Sequence, residues 1–173
     1  MVSSIKDPDA VKSYNGASLR IAIVHARWNN RLIESLITGA KSQLLEAGVK
    51  EEDIVLESVP GSYELPFAVQ RIIHTSQTSR DNIAFDAVIA IGALIKGETM
   101  HFEYISEAVS QGLMRVQLDT HVPVIFGLLT LLTEQQGLER AGLAGEHWGR
   151  AAVELGVKNR EDWVAGGCRS ALG

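Results

Sequence analysis

The chain has 173 residues, 46% hydrophobic and 21% charged, with a net charge of -5. That length supports one domain with a proper core, and the acidic balance gives no nucleic-acid surface. No apolar run reaches the ~20 residues of a membrane span, and a lone cysteine, Cys168, excludes an internal disulfide or a cysteine-rich metal site.

The histidines (His25, His74, His101, His121 and His147) show no tight ligand spacing, so no structural metal is expected. Residues 1 to about 17 read as an arm with little intrinsic order. They lack the apolar core of a signal peptide, and the cytosol is the expected compartment.

Leu19 to His25 is an apolar strand with Ala26-Arg27-Trp28-Asn29 as its exit loop. Asn30 is suited to cap the next helix, whose inner face is Ile33, Leu36, Ile37, Ala40, Leu44 and Leu45; Gly48 ends it. Asp53 to Val59 is a second strand, Pro60 to Tyr63 a turn, and Pro66 opens a helix through Ile73. The polar stretch Thr75 to Asn82 reads as a loop.

Val88 to Gly92 is an apolar run of the kind that forms a strand buried on both faces. The loop Ala93 to Thr99 and a helix from about Met100 to Leu118 follow. Pro123 to Thr130 is a fourth strand. Thr133-Glu134-Gln135-Gln136 reads as a capping box opening a helix to Ala141, stopped by Gly142. A last helix runs from about Glu146 to Val157, and a Gly-rich tail, expected to be flexible, from Asn159 to Gly173.

Strands alternating with helices imply a parallel sheet covered on both faces, a three-layer αβα sandwich. In such a fold the loops leaving the strands' C-terminal ends share one edge, where ligands bind. Trp28, Gly61 to Glu64, Ala93 to His101 and Phe126 to Thr130 become neighbours there.

The spacing Gly92 to Gly97 with Thr99 nearly matches a nucleotide-binding P-loop, but Glu98 replaces its lysine and would repel a triphosphate. A single phosphate at the helix start fits better, although the glycines alone need only permit a turn. His101, in the first turn beside that anion site, is placed to shuttle protons but also reads as an ordinary surface or core histidine. Trp28 either covers the sheet edge or stacks on a flat ring. Glu64 either complements a helix start or binds a polyol. Arg140 suits a helix end or reaches a phosphate on a neighbouring subunit, and Phe126 is core or pocket wall.

HARWN at 25–29, VPGSYELP at 59–66, IGALIKGETMHFEYI at 91–105, PVIFGLLT at 123–130 and ERAG at 139–142 together resemble 6,7-dimethyl-8-ribityllumazine synthases of the fungal branch. The likeness covers about residues 19 to 157. It implies a flavodoxin-like fold with a four-stranded parallel sheet and a single domain spanning 1–173. It also implies a homo-oligomer, with a pentamer favoured, and active sites between subunits. Its reaction condenses 5-amino-6-(D-ribitylamino)pyrimidine-2,4-dione with 3,4-dihydroxy-2-butanone 4-phosphate, with no cofactor or metal.

Carried over by position, Trp28 stacks on the pyrimidine, Ser62 and Glu64 hold the ribityl chain, and Tyr63 lines the pocket. Ala93, Leu94 and Ile95 meet the pyrimidine edge through their backbone. Gly97, Glu98 and Thr99 hold phosphate, and His101 shuttles protons. Phe126 and Arg140 come from the next subunit, with Arg140 on the phosphate.

Two features depart from the family. Only Leu143-Ala144 joins Gly142 to Gly145, where the family has a longer loop. His147 stands where the family often has an acid, which leaves the orienting partner of His101 unassigned. A non-catalytic flavin-binding protein on the same scaffold is the alternative, distinguished by needing neither His101 nor Arg140. A phospho-signalling receiver lacks support, since strand one ends in His25 and strand three in Gly92, not in acids.

Overall fold

The computed structural model describes residues 13–78 and 83–161. The outer parts of the expected arm (1–12) and tail (162–173), and positions 79–82 of the expected loop, lie outside the described residues. The strands are β1 (Ile21–Ala26), β2 (Ile54–Val59), β3 (Ala87–Ile95) and β4 (Val124–Leu131), and the helices are α1 (Asn30–Glu46), α2 (Leu65–Thr78), α3 (His101–Thr120) and α4 (Glu134–Arg160). All strands pair in parallel in the order β2-β1-β3-β4. The fold is the expected αβα sandwich, flavodoxin-like.

The two central strands explain the layering. β1 and β3 are almost wholly buried, and their side chains feed opposite faces in alternation. Ile21, Ile23, Ile89 and Ile91 meet Leu32, Leu36 and Leu44 of α1 and Ala152 and Val153 of α4. Ala22, Val24, Val88 and Ala90 meet Leu65 and Val69 of α2 and Val109 and Leu113 of α3.

Four local expectations are corrected. The two helices read at 133–141 and 146–157 are one helix of 27 residues, α4. Gly142 and Gly145 do not stop it, and it is Gly145 and Gly39 that let α4 lie against α1: a Cβ on Gly145 would sit 2.3 Å from the Leu36 carbonyl oxygen, and one on Gly39 would sit 2.7 Å from that of Gly142. The short Leu143-Ala144 joint is therefore continuous helix. Next, α2 continues through Thr78, with Ser76 buried, so 75–78 is not loop.

Asn29, not Asn30, occupies the cap position of α1, in the left-handed region at φ 61°. Finally, residues from 13 on belong to the body: Tyr14 packs on the α1–α4 core, and the Gly16 amide donates to the Ala47 carbonyl at 2.8 Å.

Candidate active site

The strand ends do not finish level. β1 pairs with β3 only as far as His25 opposite Ile91, whereas β3 and β4 stay paired to Ile95 opposite Leu131. The last four residues of β3, a reach of about 13 Å, thus have a strand on one side only. The amides of Val88 and Lys96 both donate towards β4, to Pro123 and Leu131. Even-numbered residues of β3 therefore turn their peptide groups to β4, and Ala93 and Ile95 turn theirs to the open edge.

This refines the expected reading of a ring by the backbone of residues 93–95. Leu94's peptide groups belong to the β4 ladder. Ala93's carbonyl already accepts a 2.8 Å hydrogen bond from the Asn29 side-chain amide. The Ala93 amide and the Ile95 peptide groups face the open edge beyond the last β1 pairing.

Three exit loops converge on this edge. The β1 loop carries Trp28, 73% exposed. A Cβ on Gly61 would lie 3.4 Å from Trp28 Cδ1, so the indole rests on the β2 loop at a residue without a side chain. The Glu64 carboxylate accepts the Gly61 amide at 2.8 Å and closes a single 3-10 turn, Ser62–Glu64. Tyr63 is exposed.

Ser62 is buried, and its hydroxyl has no hydrogen-bond partner among the described residues. It points at Gly92, where a Cβ would come within 2.6 Å of Ser62 Oγ and 2.7 Å of Leu128 Cδ1. Gly92 is thus required by close approach, which the sequence showed only as a strand end.

The β3 loop leads into α3. Gly97, Glu98 and Thr99 are exposed, and the space a Cβ on Gly97 would take is open. Gly97 does not adopt a positive φ, so a tight turn is not the reason for glycine here. The Thr99 hydroxyl accepts the His101 amide at a long 3.4 Å. The following N–H groups of the first turn keep the helix's positive end available to an anion. His101 is exposed at that turn, and no described side chain bonds its imidazole.

Lys96 forms an ion pair with Glu103 across this loop. That ammonium hydrogen bond holds the Glu103 carboxyl below its usual range, while the other carboxylate oxygen is buried without a hydrogen-bond partner among the described residues. The pair was missed in the sequence because it spans a loop–helix junction at a spacing no periodicity reveals.

Phe126 and Arg140 stand apart. Phe126 is 46% exposed on the edge strand β4, opposite Ala90. Arg140 is exposed on α4, its guanidinium donating to the Gln136 carbonyl of its own helix at 3.2 Å. α4 and α3 cover opposite faces of the sheet, and among the described residues no hydrogen bond or ion pair links Arg140 to the strand-exit residues. A cavity of about 350 Å³ lies elsewhere, between the end of α1 and α4, lined by Tyr14, Gln43, Glu46 and Arg150. The strand-exit site itself is open surface.

The model of the family described as 6,7-dimethyl-8-ribityllumazine synthase matches residues 18–160. Relatives bearing that name include one from Pyricularia oryzae, 52% identical and covering 90% of this chain and 94% of its own. Another, from Schizosaccharomyces pombe, is 55% identical, covering 91% of this chain and 98% of its own. A bacterial relative from Nitrosospira multiformis is 42% identical over 82% of this chain and 84% of its own. The Pyricularia alignment spans 190 positions, more than the 173 residues here, so that relative carries residues this chain lacks. With the family model and both fungal and bacterial relatives in agreement, the chain belongs to the 6,7-dimethyl-8-ribityllumazine synthase family.

Proposed function

We propose that the protein is a transferase making 6,7-dimethyl-8-ribityllumazine, the penultimate step of riboflavin biosynthesis. The 5-amino group of the ribitylaminopyrimidinedione attacks the ketone of 3,4-dihydroxy-2-butanone 4-phosphate, and water leaves as the imine forms. Phosphate is eliminated, and the ribityl-bearing amine closes the ring with loss of a second water. The observation that carries this reading is the open β3 edge between an exposed indole and the start of α3. It offers a ring-stacking surface, unpaired peptide groups and an anion site within one run of strand and loop.

In this reading Trp28 stacks on the pyrimidine, Ile95 reads its edge with Ala93 and Leu94 as wall, and Ser62 and Glu64 hold the ribityl hydroxyls beside Tyr63. The buried, unpartnered Ser62 hydroxyl supports that role. The first-turn amides, with Gly97, Glu98 and Thr99, hold phosphate. Glu98 is tolerated because backbone N–H groups, not its side chain, face the anion. His101 moves the protons. The reaction needs alignment and proton transfer more than strong electrophilic help, and alignment alone is worth several orders of magnitude.

Phe126 and Arg140 join the site from a neighbouring subunit, with Arg140 pairing the phosphate. Support comes from their exposure and from Arg140's place in the other layer. A homopentamer in the cytoplasm completes the proposal; the single cysteine suits a reducing compartment. The whole chain acts as one domain.

The test follows lumazine absorbance and phosphate release together, against a no-protein control, because the condensation has a background rate. We expect stoichiometric phosphate, with kcat reduced about 10²-fold or more in His101→Ala and the butanone phosphate KM raised in Arg140→Ala. A wild-type rate equal to background, with flavin binding retained, would replace the enzyme by a flavin-binding protein.

A further inference from the structure

Asn29 is a capping residue that does not cap. Asn at this position ordinarily turns its side chain back onto the first amides of the helix, but here no side-chain cap bond forms. The backbone instead enters the left-handed region, at φ 61° and ψ 45°, which Asn tolerates better than most residues. Its carbonyl takes the Leu32 and Ile33 amides at 2.9 and 3.1 Å. Its side-chain amide crosses to β3 and donates to the Ala93 carbonyl at 2.8 Å. That carbonyl lies just where β3 loses its β1 partner, and the residue before Asn29 is the exposed indole, Trp28.

We propose that Asn29 is a positioning residue for the condensation: its amide fixes the Trp28 stacking plane at a set distance from the open edge of β3. This rests on the site reading above. Without the bridge, no hydrogen bond among the described residues ties the Trp28 loop to β3: it keeps its contact with Gly61, the bonds from Arg27 to Val59 and Ser58, and the Asn29 carbonyl on the first α1 amides. The bond also fills the first carbonyl of the open edge, so the ring is read one step further out, at Ile95.

The pyrimidine and the phosphate substrate therefore depend on Asn29 differently. The phosphate lies at the start of α3, which the Asn29 bridge does not touch. Loss of the bridge weakens the slot for the ring and leaves the anion site alone.

The test compares wild type with Asn29→Gly, which keeps the left-handed backbone accessible but removes the amide, and Asn29→Asp, which keeps size and shape but presents a carboxylate to a carbonyl. We expect the pyrimidine KM to rise about three- to tenfold in the Gly variant, as for one lost hydrogen bond, and further in the Asp variant. The KM for the butanone phosphate stays within twofold and the Tm of the Gly variant remains near wild type. An unchanged pyrimidine KM, or a parallel change in both KM values with a falling Tm, overturns the positioning role. Absence of turnover in the wild type overturns the site reading itself, and with it the role assigned here.

Discussion

The Ser62 hydroxyl is buried without a partner among the described residues. An unpaired buried polar group costs about 1–3 kcal/mol. Ser62→Ala should hold or raise Tm while raising the pyrimidine KM; a lowered Tm in thermal denaturation would mean that the hydroxyl is structural. Glu103 makes a second residue-scale case. Lys96 lowers its pKa, so the pair's stabilisation is complete above the ordinary carboxylate pKa of about 4.3. It is lost as pH falls through the depressed folded value. Glu103→Gln should flatten the acid limb of a urea-midpoint profile, and an acid limb as steep as wild type would remove the pair from the account. At the other extreme, Glu154 raises the Lys158 pKa, and that contribution disappears only as pH rises past the usual lysine range.

Among the elements, α1 and α4 show what the sequence concealed. Strand boundaries were legible to within two residues for β1, β2 and β4, because apolar runs bounded by turns leave few alternatives. Glycine was misread in α4 because its two uses, ending a helix and admitting a neighbouring one, look alike in a linear chain. Gly137, Gly145 and Gly149 are all buried, and the residues a Cβ on each would strike, Leu32, Leu36, Ala40 and Gln43, lie some hundred positions away in α1. Likewise Thr75 to Thr78 are polar yet helical, because Ser76 turns inward and its hydroxyl bonds the Ile73 carbonyl at 2.7 Å. The role of Asn29 was not legible: the cap was expected at Asn30, and the crossing of the Asn29 amide to the Ala93 carbonyl exists only once β1 and β3 lie side by side. Gly145→Ala should cost about 1–3 kcal/mol or more, since its Cβ would meet backbone at 2.3 Å, and lower Tm by several degrees. The same substitution at Gly142, where a Cβ meets nothing, should cost little, and equal losses at both positions would contradict the packing role.

At the scale of the molecule, the sheet has a clamped end and a working end. Arg160 of α4 grips Asp86 ahead of β3 with two hydrogen bonds, at 2.5 and 3.0 Å, while Asp86 also accepts the Arg20 amide. Along α3, Met100, Tyr104, Met114 and Leu118 form an exposed stripe, each more than half exposed, at spacings that place them on one helix face. Such a face suits association between copies, and light scattering should return a mass near five subunits; a megadalton particle would instead mean a closed shell. The opposite-face placement of His101 and Arg140 has a genetic consequence. If each site borrows its arginine from a neighbour, two defective proteins can repair one another. Reassembling His101→Ala with Arg140→Ala chains in equal amounts should yield about a quarter of interfaces with both groups intact, and at low butanone phosphate activity would rise above that of either impaired parent. Alleles of this gene would then complement within a locus, and a single damaged copy would reach beyond its own subunit.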